Sequence, residues 1–187
     1  SRIVDIPIIT KVGREEFRRF YCRSIGMQVE ESRQKSFVPS VFYCAENNSI
    51  LVNRDDFSVG HMARNVREMD VIFRGFVTHE LAHAWQCGRL GNGIFSGIFK
   101  SGNMVAMSIL EGHAEMVARA YYESVNQLSI HDRIVANIKT ASIGGMYPDP
   151  YFMYVESRLF VERVGNDGMA DLFNRILALD LATEREM

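Results

Sequence analysis

The β-forming text of this chain is confined to its first third. Arg2 to Thr10 sets Ile3, Val4, Ile6, Ile8 and Ile9 in partial alternation around one Pro, which predicts a first strand near a sheet edge. Phe37 to Cys44 and Ser49 to Asn53 are two further β-rich runs, and the turn-forming Ala45-Glu46-Asn47-Asn48 between them predicts a hairpin. After Asp55-Asp56 the text reads as helices. Strands followed by helices make an α+β protein with a small N-terminal sheet.

Helical spacing of Phe17, Phe20, Tyr21, Ile25 and Val29 predicts one amphipathic helix from Gly13 to Gln34. Two more are expected, around His61 to Glu68 and from Asp70 to Cys87, with Gly88 opening a loop. The five glycines from Gly88 through Gly102 are too many for a packed helix by this reading, and core capping is the expected role of Phe95, Ile98 and Phe99 among them. Helices are then predicted at Val105 to Val125, Ile130 to Ile143, Tyr151 to Val164 and Gly168 to Leu181, with 144–150 as a break. A length of 187 residues fits a single domain, its strands and first long helix in 1–88 and its helical part in 105–187.

Composition removes several classes. With 47% hydrophobic and 24% charged residues the chain can bury a core, which excludes disordered and fibrous architectures. A formal charge of −2 without any long single-sign block disfavours a nucleic-acid partner, and no apolar run of about 18 residues points to a membrane. Cys22, Cys44 and Cys87 form no CxxC pattern, so reduced thiols and a cytoplasmic setting are expected, and the Asn47-Asn48-Ser49 sequon is read as chance. A start at Ser1 without Met fits a processed chain or one excised from a longer protein.

The chemistry lies in His79-Glu80-Leu81-Ala82-His83. On a helix the i, i+4 spacing puts both imidazoles on one face, one turn apart, which suits two zinc ligands, and Glu80 can serve a zinc-activated water as general base. The residue frequencies of this chain give about a 1% chance of such a pattern at random. The metzincin continuation fails, because Gln86 and Arg89 stand where that class requires Gly and His.

Downstream, Leu110-Glu111-Gly112-His113-Ala114-Glu115 lies in strongly helical text, and Tyr154-Val155-Glu156-Ser157-Arg158-Leu159-Phe160-Val161 follows near the C-terminus. Together with the His pair these segments resemble the gluzincins, zinc metallopeptidases of zincin-like fold, and most closely the form found in their aminopeptidase and leukotriene hydrolase branch and in small single-domain relatives. The resemblance spans roughly Phe37 to Phe173 and departs at Ser157, where the family usually has Gly. It implies a twisted sheet with a hairpin, an active-site helix, a glutamate helix and C-terminal helices. It also implies Glu111 as third zinc ligand, Glu115 as the carboxylate holding His79, and Tyr154 as oxyanion donor.

The expected activity is hydrolysis of a peptide or protein substrate, with the hairpin edge lining the cleft. A zinc-containing binding module without turnover and a zinc hydrolase of non-peptide substrates are the rival readings. Tyr147, Tyr151, Tyr121, Tyr122 and His113 compete with Tyr154, while His113 reads as a packed or supporting histidine and His61 and His131 as surface residues. Gly91-Asn92-Gly93 with Gly97 lacks the strand context of a dinucleotide loop.

Overall fold

Four turn residues, one of them Asn48 in the left-handed region at φ 48°, reverse the chain between the two central β-rich runs. The computed structural model describes residues 5–34, 39–55, 63–142, 156–164 and 168. Their elements are β1 (Ile8–Val12), α1 (Arg14–Ile25), α2 (Val29–Gln34), β2 (Val41–Cys44), β3 (Ser49–Asn53), α3 (Val66–Leu90), α4 (Asn92–Ser101), α5 (Met104–Ser124) and α6 (Leu128–Ser142). A further helical stretch covers 156–164. The architecture is mixed α+β and mostly helical.

β2 and β3 pair antiparallel, with Val41 opposite Val52 and Cys44 opposite Ser49. β1 joins β3 in parallel on its other side, giving the order β1-β3-β2. The first strand is therefore at an edge as expected, but it starts after Pro7, and residues 1–4 lie outside the described ones. Strand alternation divides the core. Phe42, Cys44 and Leu51 pack with Val12 and with Phe17 of α1. Val41, Tyr43, Ile50 and Val52 face α3, α4 and α5 through Ala84, Cys87, Phe95, Ile98 and Leu110.

Several helix boundaries differ from the sequence reading. The helix expected from Gly13 to Gln34 is two, because Gly26 adopts φ 70° and its N–H reaches back to the carbonyls of Arg23 and Cys22. Conversely, the helices expected on either side of Met69 are one. Asn65 caps α3 by accepting the Glu68 N–H at 2.9 Å, while the Glu68 carboxylate accepts the Arg64 N–H at 2.9 Å. His61 lies outside the described residues.

Gly88 does not begin a loop either. α3 continues to Leu90, and the glycine-rich text forms α4. Gly91 and Gly102 sit at its ends with φ 88° and 66°, positive values that favour glycine. Phe95, Ile98 and Phe99 keep helical spacing toward the core, so Phe95 and Ile98 are buried as expected of core residues. Among the described residues no single helix is long and apolar enough to cross a membrane; α4 with α5 passes by composition only as a pair bent by 116°.

α3 packs along α5, with Gly75 in close contact with the Tyr122 ring. α6 folds back against both, and Arg133 binds the Glu68 carboxylate at 2.7 Å. The three cysteines are buried and none is in a disulfide.

Candidate metal centre

One turn separates His79 from His83 on α3, and the α3–α5 packing sets Glu111 opposite both. All three side chains are buried. Glu111 Oε2 lies 3.1 Å from His79 Nε2 and 3.4 Å from His83 Nε2, and one ligating atom from each residue falls within 4.8 Å of the others. Tetrahedral zinc with bonds near 2.0 Å has donor atoms about 3.3 Å apart, so the observed spacings suit such an ion. This buried His-His-Glu group can hold a metal ion.

Each histidine is held from behind. His79 Nδ1 lies 3.4 Å from Glu115 Oε2. On the other side, Gln86 is fully buried and donates its amide to the Leu110 carbonyl at 2.8 Å and to His113 Nδ1 at 3.0 Å. With both amide hydrogens engaged, its carbonyl must accept, and His83 Nδ1 donates to it at 2.8 Å. The His83 lone pair is thereby placed on Nε2, the nitrogen that faces Glu111. Burial, followed by the fields of His83 and His79, pushes the His113 pKa down to about 4, so it is neutral and can accept on Nδ1.

Within the cluster, protons and carboxylates compensate one another. Burial opposes charge on His79 and His83, yet Glu111, aided at His79 by Glu115, outweighs it and raises both pKa values. Burial likewise opposes the Glu111 charge, but His83 and His79 bring its pKa down to about 2. An incoming ion must displace those histidine protons.

Glu80 sits one residue from His79 with its Oε2 accepting the Tyr43 N–H at 2.7 Å. Burial raises its pKa. Just before β2, the Ser40 carbonyl faces β3 by accepting the Asn53 N–H, so Val41 and Tyr43 turn their main-chain groups to the side of β2 on which no strand pairs among the described residues. Tyr21 of α1 packs edge-on against Phe42 at 5.5 Å, and burial together with the charges of Glu111 and Glu80 raises its phenol pKa.

The structure thus brings together His79, Glu80, His83, Glu111 and Glu115. Tyr154, with Tyr147 and Tyr151, lies outside the described residues. Ser157, three residues further on, is buried, and its carbonyl carbon stands 2.5 Å from where a Cβ on Gly112 would be. Tyr122 is buried beside Ile72, its hydroxyl 3.5 Å from that carbonyl.

His131 is a correction. Expected at the surface, it is 3% exposed, and its Nε2 donates to Glu115 Oε1 at 2.8 Å because α6 folds back onto α5. Sequence reading also missed Gln86 and Tyr21 as neighbours of the site. Gln86 was detectable, being three residues beyond His83 on one helix face. Tyr21 carried only its core periodicity. No protein-family model, curated protein or solved structure matches the chain.

Proposed function

We propose that this chain is a zinc-dependent metallopeptidase of gluzincin type. His79, His83 and Glu111 hold the ion, Glu80 is the general base and Tyr154 the oxyanion donor. Two His and one Glu form a known ligand set of catalytic zinc, which keeps a fourth position open. Bound zinc would acidify a water and polarise the substrate carbonyl. Glu80 takes the proton of the attacking water and hands it to the leaving amine, a task suited to a carboxyl whose pKa burial has raised.

The observation that carries this reading is the Glu80 carboxylate beside the donor cluster and anchored on an N–H of an edge strand. A peptide laid along β2 would meet the outward main-chain groups of Val41 at the same place, which favours a peptide substrate over other carbonyl compounds. The test is cleavage of a mixed peptide library, read by mass spectrometry with and without chelator. Chelator-sensitive cleavage is expected, and Glu80→Gln should retain metal and lose turnover. An active wild type whose Glu80→Gln variant keeps most of its activity rejects the base. Metal binding without cleavage of peptides or esters favours the non-catalytic module, and esterase activity alone favours the non-peptide hydrolase.

A further inference from the structure

A carboxylate has two oxygens, and Glu115 engages two helices with them. Oε2 lies 3.4 Å from His79 Nδ1, while Oε1 accepts from His131 Nε2 at 2.8 Å. Glu115 is 12% exposed at its side chain and remains below the ordinary carboxylate range, because His131 and then His79 overcome the desolvation that would raise it. His131 makes the shorter of the two contacts, and it comes from α6, which contributes no member of the donor cluster.

We propose that His131 is a positioning residue for the metal centre, the outer end of a chain running His79–Glu115–His131. Resting on the metal-site reading above, this extends the site from two helices to three. Pinned at Oε1, the Glu115 carboxylate keeps Oε2 turned toward His79 Nδ1, which fixes the orientation of that ring and leaves Nε2 facing Glu111. Without His131, one buried carboxylate oxygen loses its donor, and the carboxylate is at liberty to rotate toward another partner. Tyr122 packs against the His131 ring at 5.4 Å between centroids, which restrains the imidazole itself. The His131 Nδ1 makes no hydrogen bond among the described residues, its nearest carboxylate oxygen being that of exposed Asp132 at 3.7 Å. The geometry thus directs the histidine at Glu115 through Nε2.

The test uses the full chain and zinc ion alone, with affinity read by competition against a chromophoric chelator. A Gln side chain can place its amide nitrogen near the Nε2 position, whereas Asn stops short of it. His131→Asn should weaken zinc binding about tenfold, at the low end of the 10- to 100-fold range for lost outer partners, and His131→Gln should restore most of it. Added to Glu115→Ala, His131→Asn should have almost no further effect, since the two residues act in series. Unchanged affinity in His131→Asn overturns the proposal. So does full additivity with Glu115→Ala, which would assign His131 to general packing. A wild-type chain that binds no divalent ion removes the metal-site reading itself, a failure distinct from either.

Discussion

In the metal-free chain the same imidazole nitrogens that would ligate an ion share protons with Glu111, which makes this residue-scale arrangement sensitive to pH in two opposite senses. The raised pKa values of His79 and His83 contribute stability that is complete below 6.5 and lost as pH rises through their folded values. The depressed Glu111 contributes stability present above 4.5 and lost as pH falls toward about 2. The contribution of these three groups should therefore be greatest in mild acid, opposed by His113, whose lowered pKa costs stability as pH falls below 6.5, while zinc affinity falls as pH decreases through the raised histidine values. Two displaced protons would make that fall up to about 100-fold per pH unit. Thermal melts across pH with and without zinc check both senses; parallel curves would show that the cluster does not exchange protons for metal. For the proposed oxyanion donor, Tyr154→Phe should lower kcat by roughly 10² to 10³ with zinc content unchanged. A silent Tyr154→Phe beside a severe Tyr21→Phe would move that role to α1.

At the scale of elements, a close contact beside the site joins α5 to the 156–164 helix. Gly112 follows Glu111 directly, and the backbone of Ser157 and Arg158 stands where any larger side chain would have to go. Gly112→Ala should force these helices apart and cost about 1–3 kcal/mol in stability by chemical denaturation. Because His79, His83 and Glu111 are carried by α3 and α5, zinc binding should survive while turnover falls. Loss of both together would mean that the strain reaches Glu111. The glycine-rich text forms α4 rather than a loop because its interior glycines stay off the packed face. Gly93 and Gly97 have nothing within 4 Å of a Cβ position, so they leave the Phe95, Ile98 and Phe99 face intact.

For the whole molecule, α3 is the shared axis: it carries two donors, abuts the sheet through Ala84 and Cys87, and packs on α5. A ligand that ties α3 to α5 should stabilise the folded chain as a unit. At free zinc 100 times the dissociation constant the gain is about 2.7 kcal/mol. For a chain of this size that corresponds to a Tm rise on the order of 5–10 °C, removable by chelator. Calorimetry showing no zinc-dependent shift, with zinc bound, would place the ion on a locally unfolding segment.

What the sequence determined is what local spacing can encode. The i, i+4 histidine pair with Glu80, the hairpin with its four-residue turn, and the long helix bearing Glu111 and Glu115 all follow from periods and turn chemistry acting within a few residues. Only the tertiary structure decided the contacts between elements distant in sequence. Glu111 stands 32 residues from His79, and its approach depends on the α3–α5 crossing. His131 was misread because nothing in its own neighbourhood reveals that α6 returns to cover Glu115, 16 residues earlier. The start of α3 at Val66 has a local signal in the Asn65 cap, to which the tertiary structure adds the Glu68–Arg133 bond to α6. Local periodicity specifies which face of a helix is apolar, but burial against a partner supplies most of the free energy that fixes where the helix runs and what it meets.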